Sequence, residues 1–257
     1  MNVVASIQAR MMSTRLPGKV LAELGGKPML LFQIERLKTS HYINDVVVAT
    51  STNPADDVIA DLCQTEGIRC FRGDENDVLG RVAQAVRFFD IDVHIECFGD
   101  SPLVDPGLID EMLSKMMSSE TTIDIITNCH KSTYPAGMEA YIYKANCLHE
   151  INAEVSADDK LREHCGFNLL RHRNRFSVWE VEAPQDRHYP DLFLEVDESA
   201  DLETLRRLHD AFIAKGMADY RLDDIITLAK DQPDLFSANQ NVHRRWKDVR
   251  KEHAQET

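Results

Sequence analysis

Residues 3–19 read Val3-Val4-Ala5-Ser6-Ile7-Gln8-Ala9-Arg10-Met11-Met12-Ser13-Thr14-Arg15-Leu16-Pro17-Gly18-Lys19. A short run of strand length and strand composition passes directly into a loop with three cations, two hydroxyls and a Pro-Gly turn. The strand signature recurs at 45–50, 68–71, 93–98 and 123–127, and helical patterns fill the intervals at 29–37, 55–66, 78–88 and 106–117. Strand, helix, strand at this spacing predicts an α/β fold with a mostly parallel, Rossmann-like sheet, helices on both faces and right-handed crossovers. Ligands of such sheets bind beyond the carboxyl ends of the strands. The basic loop after the first strand falls there.

From about residue 132 the rhythm loosens. The pattern predicts a strand at 138–143, helices at 145–154 and 160–171, and strands at 176–182 and 192–196, which together read as a small inserted antiparallel subdomain over about 132–190. A helix at 201–215 restores the first rhythm, and a short one follows at 222–230. The expected organisation is one domain over 1–235 and a C-terminal tail over 236–257. Part of that tail, HRRWKDVRKEH at 243–253, is locally basic with one Trp; it reads as a solvated terminal helix or as an interaction element.

The chain has 257 residues, 43% of them hydrophobic and 28% charged, which is an ordinary globular composition. With 29 basic and 43 acidic residues its net charge is −14, a field that repels nucleic acid and anionic membrane, so neither is expected as a partner. No stretch approaches the ~20 apolar residues of a membrane span, and the first residues turn polar too soon for a signal peptide. The expected location is the cytoplasm. The six cysteines, Cys63, Cys70, Cys97, Cys129, Cys147 and Cys165, have no zinc-ligand spacing and read as reduced core thiols.

The loop Gln8–Lys19 suits phosphate, which backbone amides and side-chain donors can wrap. It is not a Walker A loop, because Ser13 stands where the first glycine is required, and no G-x-G-x-x-G follows the strand. A second signal is Phe98-Gly99-Asp100-Ser101-Pro102-Leu103-Val104-Asp105-Pro106. Asp100, just past a strand end beside a glycine, can hold Mg²⁺ against a phosphate, whereas Asp105 before Pro106 is an N-cap. The third is Leu194-Glu195-Val196-Asp197-Glu198-Ser199-Ala200-Asp201. Asp197 on a neighbouring strand end would complete a two-carboxylate Mg²⁺ site with Asp100, and Ser199 or Asp201 would cap the helix.

Together, IQARMMSTRLPGKVL, GGKPML, VVVATS, RGDENDVLGRV, GDSPLVDP, TYPAG, REH and VDESADLE resemble, in order and over about residues 1–210, the SpsF-like polysaccharide-biosynthesis cytidylyltransferases. These are relatives of the CMP-Kdo and CMP-acylneuraminate synthetases. The resemblance implies a sheet of the nucleotide-diphospho-sugar transferase type and transfer of CMP from CTP to a sugar, sugar acid or related small acceptor, for cell-surface glycan or polysaccharide synthesis. It also implies a homodimer. The nucleotide site it implies comprises Gln8, Ala9, Arg10, Ser13, Thr14, Arg15, Gly18, Lys19, Arg81 and Asp100. Arg10, Arg15 and Lys19 would hold the triphosphate, and Asp100 and Asp197 would bind Mg²⁺. Arg81 is alternatively a helix-surface arginine. Tyr134, Glu139 and His164 fall in the acceptor lobe, His164 being alternatively a core histidine.

The sequence departs from the family on the acceptor side. The usual Y-P-D-G is Tyr134-Pro135-Ala136-Gly137, the acidic residue four positions after that glycine is Tyr141, Glu139 replaces an aspartate, and the usual R-x-T-V-D is Phe193-Leu194-Glu195-Val196-Asp197. Lost charge at 136, 141 and 193 implies an acceptor other than a nine-carbon sialic-type acid. Three other readings stay open on sequence: a metal-dependent glycosyltransferase, a non-catalytic nucleotide- or sugar-binding relative, and an assembly protein docking through its basic tail.

Overall fold

The computed structural model describes residues 1–244. In chain order the elements are β1 (Val3–Gln8), β2 (Glu23–Leu24), β3 (Lys27–Pro28), α1 (Met29–Leu37), β4 (Asp45–Ser51), α2 (Asp57–Thr65), β5 (Cys70–Gly73), α3 (Val78–Phe88), β6 (Val93–Phe98), α4 (Pro106–Ser118), β7 (Ile125–Thr127), β8 (Tyr141–Lys144), α5 (Ala145–Glu154), α6 (Cys165–Arg171), β9 (Val178–Glu180), α7 (Ser199–Ala214) and α8 (Leu222–Asp231). Seven strands form one sheet in the order β5-β4-β1-β6-β8-β7-β9, with every pairing parallel except the two made by β8. β2 and β3 form a separate antiparallel ribbon just after the basic loop.

Successive strand side chains point to opposite faces, and here both faces are covered. Val3, Ala5 and Ile7 join a cluster with Leu30, Ile34, Leu108, Met112 and Leu205 from α1, α4 and α7. Val4 joins Val47, Val82, Val86 and Leu148 on the other face, under α3 and α5. Double burial is why these strands read as almost continuous apolar runs. Strands β8 and β9, expected in the insertion, extend the main sheet: β8 lies between β6 and β7, and β9 forms the far edge. Among the described residues no helix is long and apolar enough to cross a membrane, and the six cysteines are free, five of them buried.

Residues 192–196, expected as a strand, make a single bridge, Phe193 with Ala136. Their polar groups are drawn to other partners: the Val196 amide donates to Asp100 O (2.7 Å), and Phe193 O accepts from Asn239 Nδ2 (3.0 Å). The tail boundary placed at 235 falls inside a 3-10 turn, Pro233–Asn239, whose Phe236 and Asn239 are buried. Of the basic run at 243–253, only His243 and Arg244 are among the described residues.

Asp105 caps α4, as its position before Pro106 implies. Its Oδ1 accepts from the amides of Gly107 (2.7 Å) and Leu108 (3.2 Å). Its Oδ2 accepts from the Leu222 amide (2.5 Å), tying the start of α8 to the start of α4, and lies 4.0 Å from the buried Arg36 guanidinium. Asp105→Ala removes the cap, leaves the buried Leu222 amide without its acceptor and takes the counter-charge from the buried Arg36 guanidinium. The expected loss is about 2 kcal/mol or more, read as a lower urea midpoint at unchanged m-value; Asp105→Asn should recover the capping part.

Candidate active site

The end of β1 is held against the end of β6. The Gly99 amide donates to Gln8 O (3.0 Å), and a Cβ at residue 99 would stand 2.7 Å from that oxygen, so the approach requires glycine. The loop that follows folds back on Met11, whose carbonyl accepts from the amides of Ser13 (2.9 Å) and Gly18 (2.8 Å). Ser13 Oγ accepts from the Leu16 amide (3.4 Å), and Gly18 turns the chain at φ +73°. From outside, Asp56 Oδ1 accepts from the Met11 amide (2.7 Å), while its Oδ2 takes Ser51 Oγ (2.5 Å) from the end of β4. So anchored, the loop delivers Lys19 at the start of a 3-10 turn, Lys19–Leu21.

Lys19 Nζ is where the two expected metal carboxylates meet. It donates to Val196 O (2.6 Å) and lies 3.2 Å from Asp100 Oδ2 and 3.4 Å from Asp197 Oδ1. Arg15 Nη2 pairs with Asp197 Oδ2 at 2.6 Å, and Arg15 Nη1 donates to His243 O (2.7 Å) and lies 3.8 Å from Glu198. Two carboxylates held on one ammonium group are mutually repulsive, and the cation between them offsets that repulsion. Among the described residues no group of three or more His, Cys, Asp or Glu forms a metal cage. Two convergent carboxylates without a cage are the donor set that Mg²⁺ takes when phosphate oxygens and water complete its octahedron.

The other expected residues stand as follows. Ala9 is buried, and Arg10 and Thr14 are exposed. Arg81 is buried, not on a helix surface: its Nη1 donates to the carbonyls of Asp74 (2.6 Å) and Glu75 (3.2 Å), and its Nε has no hydrogen-bond partner. Tyr134 is 4% exposed within the main core. Glu139 accepts from the Gly137 amide (2.6 Å). His164 is exposed at the start of α6, which removes the core-histidine reading, and its carbonyl accepts from Asn168. Phe193 is buried with the Arg244 guanidinium 4.4 Å above its ring. Its side chain serves packing, so its replacement of arginine does not report on an acceptor.

Sequence reasoning missed Asp56, Asn239 and Arg244. Asp56 directly precedes a second aspartate, two residues after Pro54, at a helix start where a cap is the ordinary reading. Of the two expected caps, Ser199 is the first residue of α7 and Asp201 takes part at the third, in a capping box whose N-cap is Glu198.

Comparison with known proteins gives a consistent picture. The cytidylyltransferase family model matches residues 4–257. The spore coat polysaccharide biosynthesis protein SpsF of Bacillus subtilis is 32% identical over 237 residues, spanning 91% of this chain and 96% of that protein. A 3-deoxy-manno-octulosonate cytidylyltransferase of Geobacter sulfurreducens is 36% identical over 118 residues, 45% of this chain and 46% of that one. The solved structure of a cytidylyltransferase from Leptospira borgpetersenii superposes with a TM-score of 0.86 at 30% identity, covering 95% of this chain and all of that chain.

Behind Gln8 lies a buried carboxyl. Gln8 Nε2 donates to Glu96 Oε1 (2.8 Å) and the Tyr143 hydroxyl to Glu96 Oε2 (3.1 Å), yet burial pushes the Glu96 carboxyl up from its usual 4.5 to about 7. The folded state therefore holds a proton that the unfolded chain releases near pH 4.5, so this group's contribution is full below about pH 4.5 and is lost as pH rises through about 7. Glu96→Gln is expected to remove this dependence. Relative to wild type it should gain stability across that window, by an amount on the order of 3 kcal/mol, in denaturant titrations at pH 4.5, 6 and 8.

Proposed function

The chain belongs to the cytidylyltransferase family, and from that premise we propose that it joins CMP from CTP to a sugar, sugar acid or related small hydroxylated acceptor in glycan or polysaccharide synthesis. The observation that carries this reading is the convergence of Lys19, Arg15, Asp100 and Asp197 beyond the ends of β1 and β6. The polysaccharide role of the Bacillus subtilis relative supports the acceptor class. The same reading takes the protein as a cytoplasmic homodimer.

An acceptor hydroxyl attacks the α-phosphorus of CTP. The new P–O bond forms as the bond from that phosphorus to the β-phosphate oxygen breaks, the hydroxyl proton leaves to solvent, and pyrophosphate departs. Such a reaction is served mostly by placement and charge. Lys19 and Arg15 are released from their carboxylates to the phosphates, and Gly18 and Ser13 hold the loop in the turn that presents Lys19. Asp100 and Asp197 are the residues that would hold Mg²⁺, which supplies neutralisation of phosphate charge and acidification of the acceptor hydroxyl. Ala136, like Phe193, is buried in packing and does not report on an acceptor, whereas Tyr141, half-buried and edge-on to Phe98 at 6.4 Å, is uncharged where relatives carry an acid. It favours an acceptor smaller than, or chemically different from, a nine-carbon sialic-type acid.

Pyrophosphate release is the direct test, with each of the four nucleoside triphosphates and Mg²⁺ across nonulosonic acids, Kdo, neutral sugars and small acids. CTP should be the active nucleotide; turnover with another triphosphate alone, or none with any acceptor, refutes the assignment. Nonulosonic acids as the best substrates would refute the acceptor class only. Lys19→Ala should weaken CTP binding about ten- to a hundredfold, the equivalent of one charge-assisted contact of about 1.5–3 kcal/mol, in calorimetry with the fold verified by circular dichroism. Asp100→Asn and Asp197→Asn should each abolish most turnover, and the double variant should cost little more than either, because residues acting as a unit are non-additive; fully additive losses in kcat/KM would separate the two aspartates.

A further inference from the structure

We propose that Arg244 is a positioning residue of the active site, holding Asp197 in place through the buried carboxylate of Asp201. This rests on the function proposed above and extends the site to the C-terminal segment.

Asp201 is completely buried, and its two oxygens serve different parts of the chain. Oδ2 accepts from the backbone amides of Asp197 (3.0 Å) and Glu198 (2.9 Å). Oδ1 accepts from Arg244 Nη2 (2.7 Å) and Asn239 Nδ2 (3.0 Å). A helix-capping carboxylate needs the first pair alone and is ordinarily left to water on its other side. Here a 3% exposed guanidinium seals that side.

The remaining contacts of the seal fall on the segment that carries Asp197. Arg244 lies 4.4 Å over the Phe193 ring and 3.5 Å from Glu195, and Asn239 Nδ2 also donates to Phe193 O (3.0 Å). Arg244 Nη2 donates in addition to Asn239 O (3.1 Å), which joins the two sealing residues. The neighbouring residue, His243, gives its carbonyl to Arg15, and Arg15 pairs with Asp197. Two consecutive residues near the end of the chain thus grip the site from two directions, one through Arg15 and one through Asp201.

A buried ion pair is a poor way to gain stability, since apolar packing of the same volume serves as well or better. What it supplies is directed geometry. The segment 192–196 lacks a strand ladder to hold it, and Asp197 follows directly. Groups that orient a metal-binding carboxylate commonly set metal affinity by ten- to a hundredfold.

The test is Mn²⁺ binding to the full chain in the presence of CTP without acceptor, read from loss of the free-Mn²⁺ electron paramagnetic resonance signal, alongside steady-state kinetics and melting curves. Arg244→Met should weaken Mn²⁺ about ten- to a hundredfold and lower kcat while leaving KM for CTP nearly unchanged. Arg244→Lys should recover part of both. Asn239→Ala removes one of the two seals without stranding a buried charge, and it carries the test if Arg244→Met fails to fold. Arg187→Met, which breaks the Arg187 link between Glu111 and Asp223, is the control: it should lower the melting temperature and leave Mn²⁺ affinity unchanged. Folded Arg244→Met or Asn239→Ala protein that binds Mn²⁺ as tightly as wild type would overturn the proposal, as would an equal loss in Arg187→Met. Absence of CTP-dependent Mn²⁺ binding in the wild type would instead refute the metal role of Asp100 and Asp197, and this proposal with it.

Discussion

Three stretches of chain that are far apart in sequence, after β1, after β6 and before α7, meet at one ammonium group, Lys19 Nζ. Two ionised aspartates held side by side repel unless a cation lies between them, and a charged lysine in a partly enclosed site needs anions to offset its lost hydration. Each group makes the others' placement tolerable. Every anchor around the cluster serves this meeting. Asp56 ties down the loop from below, Gly99 lets β6 close on Gln8, and Asp201 fixes the backbone that carries Asp197.

The cluster also answers a problem set by composition. A chain of net charge −14 that acts on a nucleoside triphosphate must collect its positive charge at one place. Arg10, Arg15 and Lys19 do so within ten residues, and Arg81 adds a buried cation at the start of α3. In the molecule as described, two of these are occupied by carboxylates. On the proposed reading, binding exchanges partners within an existing arrangement: Lys19 and Arg15 turn to the phosphates, and Asp100 and Asp197 are the residues that would then hold a divalent cation. Little reorganisation is then needed at the moment of reaction, which is the condition under which fixed charges act most strongly.

The acceptor side follows a different logic. Ala136, Tyr141 and Phe193 are all uncharged where relatives carry charge, yet the three differ in meaning once placed. Phe193 lies under Arg244 and reports on the packing of the C-terminal segment; Tyr141 starts β8, with its ring against Gly166 and Phe98. One kind of sequence difference therefore has two structural outcomes. Only burial and neighbours separate them.

How much was legible in the sequence follows from the range of the forces involved. The short apolar runs and the helical patterns come from local burial, so the strands β1, β4 and β6, the helices α1, α3 and α5, and the Asp105 cap could be read from short windows. The basic loop, Asp100 and Asp197 were visible because strand ends are marked by an abrupt change from apolar to polar residues. The irregular path of 192–196 was not visible, because its apolar residues look like a strand while its amides and carbonyls pair with Asp100, Ala136, Lys19 and Asn239, up to 177 residues away. Nor was the pairing of Arg244 with Asp201, since an arginine in a basic run near a chain end carries no local mark of burial. Sequence by itself determined which groups carry the charge; only the tertiary structure decided which of them meet, because that depends on contacts closed by the folding of the whole sheet.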